Sequence, residues 1–222
     1  MNPTSKIDAR QVMSALLQRR PIMSRFRLPM PKEQAVVVLK GAIMAEVARR
    51  HRVFTDCDAL ASQLEQMAEW LTTSDRHFCL LLCGRCGNGK TTFVKALQSL
   101  LNYLDLKDEY YGETWGFQIV DARELSRMSR EDPRQWEGLT RRRMLAIDDI
   151  GTEPETMRDY GNELHPVTDL LYKRYDEQLC TIMTTNLLPS GIREKYGDSI
   201  ADRMSEVACK IVFENDSYRT NF

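Results

Sequence analysis

The C-terminal two thirds of the chain alternates short apolar runs with amphipathic stretches. The apolar runs predict five strands, at residues 78–83, 117–121, 144–148, 179–184 and 210–213. The amphipathic stretches predict helices at residues 89–102, 122–130, 163–177 and within 198–208. Strands that are each separated by helical sequence form a parallel sheet with helices on both faces. The pattern therefore predicts an α/β fold built on a five-stranded parallel sheet.

The region before the first strand has helical periodicity. It predicts three helices, at residues 5–20, 33–51 and 58–72. In the first, apolar positions such as Val12 and Leu16 share one face, and basic residues occupy the rest of the wheel. In the third, Asp56 or Asp58 is placed to cap the start.

A proline-rich, basic stretch separates the first helix from the second. In "RRPIMSRFRLPMPK", Pro21, Pro29 and Pro31 rule out a continuous helix and predict an extended linker. We therefore divide the chain into a basic helix and linker at 1–32 and a domain at 33–222. Within that domain, a helical lead-in at 33–77 precedes an α/β core at 78–222.

Composition places few limits on the class of protein, but charge is unevenly distributed. The 222 residues are 42% hydrophobic, which is enough for a core. Residues 1–52 hold 11 Lys or Arg against Asp8, Glu33 and Glu46, so their net charge is +8. Because the whole chain has a net charge of −1, residues 53–222 have a net charge of −9. This asymmetry indicates either a basic segment that meets an acidic partner or nucleic acid, or a solvated helix face.

The start of the chain and its cysteines bear on location. "MNPTSKIDAR" is not followed by a continuous apolar segment, so we expect no signal peptide. The longest strongly apolar run, "FCLLLC", is far below the ~20 residues that a membrane helix requires. Six cysteines without a secretory leader are typical of reduced thiols. We therefore expect a cytoplasmic protein that does not enter a membrane.

The stretch "CGRCGNGKTT" at 83–92 combines two signals, a Cys-x-x-Cys spacing and a phosphate-binding loop. Gly84, Gly89, Lys90 and Thr91 fit G-x-x-x-x-G-K-[ST], between a predicted strand and a predicted helix. In such a loop, backbone N–H groups and the helix N-terminus surround phosphate oxygens, while the lysine reaches the β- and γ-phosphates. This context predicts an ATP site rather than a zinc or redox site. The predicted contacts are Gly84, Arg85, Cys86, Gly87, Asn88, Gly89, Lys90, Thr91 and Thr92.

Two later strands end in polar residues that suit the same chemistry. In "RRRMLAIDDIG", Asp148 is the expected Mg²⁺ partner together with Thr91, at the end of a strand that we expect to neighbour the loop strand. Asp149 is placed to orient an attacking water as general base. "CTIMTTN" ends in Asn186, whose amide is suited to contact that water or the γ-phosphate.

In chain order, GRCGNGKT, LAIDDIG, TTN and "YGDSIADRMSEVACKIVFENDSYR" resemble the DnaC/DnaI-type helicase loaders and the IstB transposition helpers of the AAA+ superfamily. The resemblance covers residues 78–219 and implies an ASCE P-loop core that binds and hydrolyses ATP with Mg²⁺. It identifies Asp148 and Asp149 with the Walker B element and Asn186 with sensor 1.

The resemblance also implies two arginine roles. Arg203, in "ADRM", matches an arginine finger that reaches a neighbouring subunit's nucleotide, and this implies a functional homo-oligomer. Alternatively, Arg203 pairs with Asp198 or Asp202 on its own helix. Arg219, in "SYR", matches an arginine that contacts nucleotide in cis. With nine residues after the last predicted strand, we expect no C-terminal helical lid.

Three functions remain open at this point. The first is a helicase loader that holds a replicative helicase on single-stranded DNA in replication, with residues 1–32 docking on the helicase as an amphipathic helix on a tether. The second is an IstB-like transposition helper, and the third is a P-loop small-molecule kinase. Candidate DNA contacts are Tyr110, Tyr111, Trp115 and the Arg141 to Arg143 run, although Trp115 also suits a core position.

Overall fold

A computed structural model describes residues 8–18, 25–73, 77–108, 112–159 and 162–218. Its main sheet has five parallel strands in the order β2-β3-β6-β1-β7, and a separate antiparallel hairpin pairs β4 with β5. The strands are β1 Cys79–Gly84, β2 Gln118–Asp121, β3 Met144–Ile150, β4 Met157–Asp159, β5 Asn162–Leu164, β6 Cys180–Thr185 and β7 Ala208–Phe213. The α/β class and the five-stranded parallel sheet are confirmed.

Eight helices lie in the described part of the chain. They are α1 Ala9–Gln18, α2 Lys32–Arg49, α3 Asp58–Thr72, α4 Lys90–Leu104, α5 Ala122–Glu131, α6 Pro133–Thr140, α7 Pro166–Asp176 and α8 Pro189–Val207. Helices α2 to α4 cover one face of the sheet, and α5, α7 and α8 cover the other.

The period of two along each strand explains the two layers. In β1, Leu80 and Leu82 pack toward α2–α4, whereas Cys79, Leu81 and Cys83 pack toward α5, α7 and α8. A strand buried on both faces has no polar alternation, which is why "FCLLLC" is a continuous apolar run. Cys79 and Cys83 therefore share one buried face.

One prediction about strand order is wrong. The strand that carries Asp148 was expected beside the loop strand, but β6 lies between β1 and β3. Hydrophobic periodicity predicts that a strand exists but not which strand it pairs with. The insertion places Asn186, at the end of β6, between the phosphate loop and Asp148.

Several elements differ from the prediction. Helix α6 was not predicted, because its eight residues are too few for clear periodicity; Asp132 caps it and Pro133 begins it. The β4–β5 hairpin was missed as well, and it moves the start of α7 from 163 to Pro166. Helix α8 begins earlier than predicted, at Pro189, and has a break at Gly197, where φ is 81° and ψ is 164°.

The N-terminal region combines a free helix with a packed linker. Helix α1 is exposed along its length, and Leu17 is 70% accessible. In contrast, Phe26 and Leu28 are buried in the α2–α4 layer, and the Leu28 N–H donates to the Leu71 carbonyl at 2.8 Å. Residues 25–31 of the predicted linker thus lie on the domain, while residues 19–24 are outside the described ranges. The division at residue 32 stays a prediction.

Across the described ranges, the helices are too short or too polar for any of them to span a membrane.

Arg174 is a buried cation that joins three elements at the lower edge of the sheet, where the parallel strands begin. It is 1% exposed and lies on α7. Its guanidinium donates to the carbonyls of Leu139, Thr140, Arg142 and Cys180 and to the Thr181 hydroxyl, at 2.5–3.4 Å. In the described part of the chain none of these acceptors is a carboxylate, and burial lowers the pKa of Arg174 to about 10. The cation therefore stabilises the end of α6 and the starts of β3 and β6 through carbonyl dipoles.

We expect Arg174→Met to lower the free energy of unfolding by at least about 3 kcal/mol, because it leaves several buried carbonyls without a donor. Urea unfolding followed by circular dichroism measures the change. Arg134→Met, at an exposed position of α6, is the matched control and is expected to change stability by less than about 0.5 kcal/mol. Equal stability of the two variants would contradict the role of Arg174.

Candidate nucleotide site

The phosphate loop connects β1 to α4 and is held in shape by its glycines and by Asn88. Gly84 has a φ of 151°, and a Cβ there would overlap the Asn88 side chain and the Phe213 backbone. Asn88 is buried, and its Nδ2 donates to the Phe213 carbonyl at 2.7 Å. Gly89 has a φ of 103° at the N-cap of α4. The loop is therefore fastened to the end of β7 as well as to its own strand.

Lys90 is buried at the first position of α4, and its ammonium group lies among oxygens. Its Nζ donates to Gly84 O at 2.7 Å, Arg85 O at 2.8 Å, Asn88 Oδ1 at 3.1 Å and Asn186 Oδ1 at 2.8 Å. Burial lowers its pKa, although the nearby Asp149 carboxylate opposes that shift. The lysine is thus a pre-positioned cation on the floor of the loop.

Asp148 connects the ends of three elements. Its carboxylate accepts from the Thr91 hydroxyl of α4, at 3.0 and 3.1 Å to the two oxygens. It also accepts from the Thr184 hydroxyl of β6 at 2.7 Å. A carboxylate and a hydroxyl in contact beside a phosphate loop are the hard oxygen ligands that Mg²⁺ prefers. The residues present therefore fit the expected magnesium site of Thr91 and Asp148.

Asp149 has an unusual backbone that turns its carboxylate toward the loop. Its φ is 57°, and its N–H donates to the Thr184 hydroxyl at 2.8 Å. Burial raises the pKa of Asp149, and the adjacent Asp148 carboxylate raises it further. A carboxylate with a raised pKa at the cavity wall is chemically suited to accept a proton from water.

The structure brings the predicted residues of the strand ends together. Asn186 contacts Lys90 through its Oδ1 and approaches Asp149 Oδ1 with its Nδ2 at 3.5 Å. This amide therefore lies between the cation of the loop and the candidate base.

A cavity of about 1010 Å³ opens above the loop. Loop residues 86–92 line it together with Asp149 and Asn186, while Gly84 and Arg85 contribute the carbonyls bound to Lys90. Of the thiols, Cys86 is exposed in the loop, whereas burial raises the pKa of Cys83 and raises that of Cys79 to about 11. The volume is large enough for a nucleotide.

Sequence reasoning missed the opposite wall of this cavity. It is formed by residues 50–55, after α2, and by Tyr218. The Tyr218 N–H donates to Gly87 O at 2.9 Å, its ring lies beside Gly89, and Arg52 Nη1 donates to its carbonyl at 3.4 Å. Aromatic and basic residues in a loop have no periodic pattern that predicts their position. The SYR motif was the signal in the sequence that indicated a nucleotide contact near Tyr218.

The segment before Tyr218 is joined to the loop as well. Asn215 Nδ2 donates to the Asn88 carbonyl at 3.1 Å, and Gln63 Nε2 of α3 donates to Asn215 Oδ1 at 3.0 Å. Residues 214–218 thus lie across the loop and connect it to the helical layer. Arg219, the predicted cis contact, lies outside the described residues.

Arg203 lies away from this cavity. Its Nη1 contacts Asp176 Oδ1 at 3.3 Å, and its guanidinium lies 4.7 Å from the ring centres of both Tyr172 and Tyr175. It also lines a small pocket with Cys79, the first residue of β1. The phosphate loop follows the last residue of β1, so Arg203 and the loop lie at opposite ends of this strand. The alternative pairing with Asp198 or Asp202 is not observed for Arg203, because Arg193 contacts both, at 2.5 and 2.9 Å. The finger role stays a prediction.

Of the candidate DNA contacts that the structure describes, Trp115 and Arg143 are engaged in intramolecular packing, whereas Arg141 and Arg142 are exposed. The Arg143 guanidinium lies 3.9 Å from the Trp115 ring centre and pairs with buried Asp108 at 2.7 Å. Trp115 also packs edge-on against Phe26, with ring centres 5.3 Å apart. Arg141 pairs with Glu137 at 2.9 Å. Trp115 is therefore partly buried against the core, and Tyr110 and Tyr111 lie outside the described residues.

Similar folds occur among solved structures of replication proteins. The crystal structure of the DnaC helicase loader aligns with a TM-score of 0.55 and 16% identity, over 73% of this chain and 94% of that one. DnaI aligns with a TM-score of 0.58 and 19% identity, over 87% of this chain and 96% of that one. The replication initiator DnaA bound to AMPPCP and single-stranded DNA aligns with a TM-score of 0.50 and 12% identity, over 74% of this chain and 48% of that one.

No protein-family model matches the chain. No curated protein matches its sequence. The structural matches show that the chain shares the fold of DnaC and DnaI.

The raised pKa of Asp149 gives a test of the site's electrostatics. A carboxylate whose pKa is higher in the folded state than its usual 3.8 destabilises the folded protein at neutral pH, where it is ionised. We expect Asp149→Asn to raise the free energy of unfolding at pH 7, because it removes this charge. Asparagine also tolerates a positive φ, so the backbone is not strained by the exchange. This gain in the free energy of unfolding should shrink as pH falls through the raised pKa of the folded state. It should disappear below the usual pKa of 3.8.

Urea unfolding at pH 7 and near pH 4 measures this difference. Glu155→Gln, an exposed carboxylate-to-amide exchange in the following loop, is the control and is expected to be neutral at both pH values. A loss of stability in Asp149→Asn at pH 7 would show that the carboxylate is favourably placed as an anion.

Proposed function

We propose that this protein is an ATP-binding and hydrolysing helicase loader that acts in DNA replication. The observation that carries the proposal is the convergence of Lys90, Thr91, Asp149 and Asn186 around one cavity, with Asp148 bonded to Thr91, at the carboxyl ends of β1, β3 and β6. Ligands bind to open α/β sheets at this edge. The described similarity to DnaC and DnaI supports the helicase-loading role over the transposition helper.

In the proposed reaction each group has a defined task. Lys90 exchanges its present oxygen partners for β- and γ-phosphate oxygens, and loop N–H groups surround the phosphates. Thr91 and Asp148 would hold Mg²⁺, which neutralises phosphate charge when bound. Asp149 accepts a proton from the attacking water, and Asn186 orients that water or the γ-phosphate.

We propose that an arginine from outside this cavity completes the site. Arg203 lies on α8, 33% exposed at its side chain, and its contact to Asp176 is a surface pair that costs little to break. An arginine that reaches a neighbour's γ-phosphate stabilises charge in the transition state and makes hydrolysis depend on assembly. We therefore propose a functional homo-oligomer with Arg203 acting in trans.

We expect Arg203→Ala to bind ATP with nearly unchanged affinity but to hydrolyse it about 10³-fold more slowly or worse. Mixing with Lys90→Ala subunits should restore part of the activity, because those subunits lack a working loop but still supply Arg203. Hydrolysis is measured with single-stranded DNA and the host's replicative helicase present, and affinity with a fluorescent ATP analogue.

Arg127→Ala is the control for this experiment, because Arg127 is an exposed arginine that pairs with Glu131 on α5. It is expected to keep wild-type activity. Loss of ATP affinity in Arg203→Ala, or failure of the mixture to recover activity, would count against a role in trans.

The partner surface proposed for the helicase is α1. Its apolar side chains Val12, Met13, Leu16 and Leu17 are all exposed, and residues 19–24 separate it from the packed segment that begins at Arg25. An amphipathic helix on a short connection can lay its apolar face into a groove of a partner. Single-stranded DNA is the proposed nucleic acid, supported by the DnaA complex named above.

We expect deletion of residues 1–24 to abolish capture of the replicative helicase while ATP binding stays intact. The deletion stops before Phe26 and Leu28, because both belong to the core. Leu16→Asp combined with Leu17→Asp should have the same effect by charging the apolar face. Gln11→Asp combined with Gln18→Asp adds the same charge to the opposite face and should retain binding. A helicase pull-down that is unchanged by the deletion would disprove this docking role.

A further inference from the structure

A buried carboxylate lies just behind the candidate base. Glu153 follows Asp149 by four residues and is only 4% exposed. Its Oε2 accepts from the Gly151 N–H at 2.8 Å, and its Oε1 accepts from the Tyr196 hydroxyl. Lys195 Nζ donates to the Glu153 carbonyl at 2.6 Å and lies 3.8 Å from Oε1. One side chain thus bonds to the turn after β3 and to α8.

The first end of this link holds the turn that carries Asp149. The Thr152 N–H and hydroxyl both donate to the Asp149 carbonyl, at 3.2 and 2.8 Å. Gly151 has a φ of 98°, and a Cβ there would lie 2.5 Å from Leu187 Cδ1. The turn is therefore tightly packed against the segment after Asn186. The Glu153 carboxylate, which accepts from the Gly151 N–H, contributes to the position of this turn.

The second end of the link lies at the break in α8. Tyr196 is buried and directly precedes Gly197, whose φ of 81° interrupts the helix. The part of α8 after the break carries Arg203. Arg193 spans the break from the other side through its contacts to Asp198 and Asp202. Contacts on both sides of Gly197 thus join the two halves of α8, and the second half is also packed into the core by Ile200 and Met204.

We propose that Glu153 is a positioning residue that couples the turn carrying Asp149 to the second half of α8. A shift of this turn on nucleotide binding would be transmitted through the Glu153 carboxylate and the Tyr196 hydroxyl to the helix that carries Arg203. The functional meaning of this coupling rests on the ATPase function proposed above, because it links a subunit's own nucleotide to the arginine offered to its neighbour.

Tyr196→Phe tests the coupling with little disturbance of packing, because it removes only the hydroxyl that joins Glu153 to α8. Tyr175→Phe is the matched control, since the Tyr175 hydroxyl donates to Glu206 Oε2 at 2.7 Å, in another Tyr–Glu bond that reaches α8. Glu153→Ala removes both ends of the link. Glu153→Gln keeps an acceptor for Gly151 and a polar partner for Tyr196, and is the conservative variant expected to restore most of the behaviour.

Hydrogen–deuterium exchange of the full chain gives a readout that does not depend on hydrolysis. Without nucleotide, we expect Tyr196→Phe and Glu153→Ala to raise exchange about tenfold in both residues 149–152 and residues 198–204. Tyr175→Phe should leave residues 149–152 unchanged. With ATPγS, the wild type should gain protection in both segments. Tyr196→Phe should bind ATPγS with unchanged affinity but gain protection only in residues 149–152.

Several results would overturn the coupling. One is exchange that rises in a single segment of Tyr196→Phe without nucleotide. Another is protection of residues 198–204 by ATPγS in that variant equal to the protection in the wild type. If the wild type fails to bind ATPγS, the proposed function falls, whereas the exchange pattern without nucleotide still decides whether the two segments are joined. A uniform rise over the whole chain would show that Tyr196 serves global stability only, and would also reject the proposal.

Discussion

The arrangement of the site depends on the hydrogen bonds that the Asp148 carboxylate accepts from Thr91 and Thr184. These bonds connect the start of α4, the end of β3 and the end of β6. The Thr184 hydroxyl also accepts from the Asp149 N–H, so it helps to hold the positive φ that turns the candidate base toward the loop. Because β6 lies between β1 and β3, the loop and the Asp148–Asp149 pair come together across the end of β6, through this polar bridge and through Asn186.

Much of the fold could be predicted because burial on both faces leaves a strong signal. Strands such as β1 and β3 are continuous apolar runs, and the helices between them have one apolar face. The site residues at strand ends could be predicted for a related reason. Parallel strands place their carboxyl ends at one edge, so polar residues after an apolar run meet there whatever the strand order is.

The contacts that could not be predicted are specified by tertiary structure and not by periodicity. Arg174 looks like an ordinary surface residue of an amphipathic helix, and its burial follows only from the carbonyls that three separate elements direct at it. Glu153 and Tyr218 are similar cases, since each is a polar or aromatic residue in irregular sequence whose partner lies more than 40 positions away. The prediction of strand order was wrong for the same reason, because the local sequence pattern contains no information on which strands pair.

The partners of Lys90 show how nucleotide binding can be communicated beyond the loop. Its ammonium group already donates to carbonyl and amide oxygens, so phosphate oxygens must replace some of these acceptors. The acceptor most easily released is the Asn186 side chain, because the two backbone carbonyls and the Asn88 side chain belong to the loop itself. Once released, that amide is free to turn toward Asp149 and the phosphates. In the ATPase that we propose, the same exchange would therefore rearrange the strand end against which the turn of Asp149 is packed.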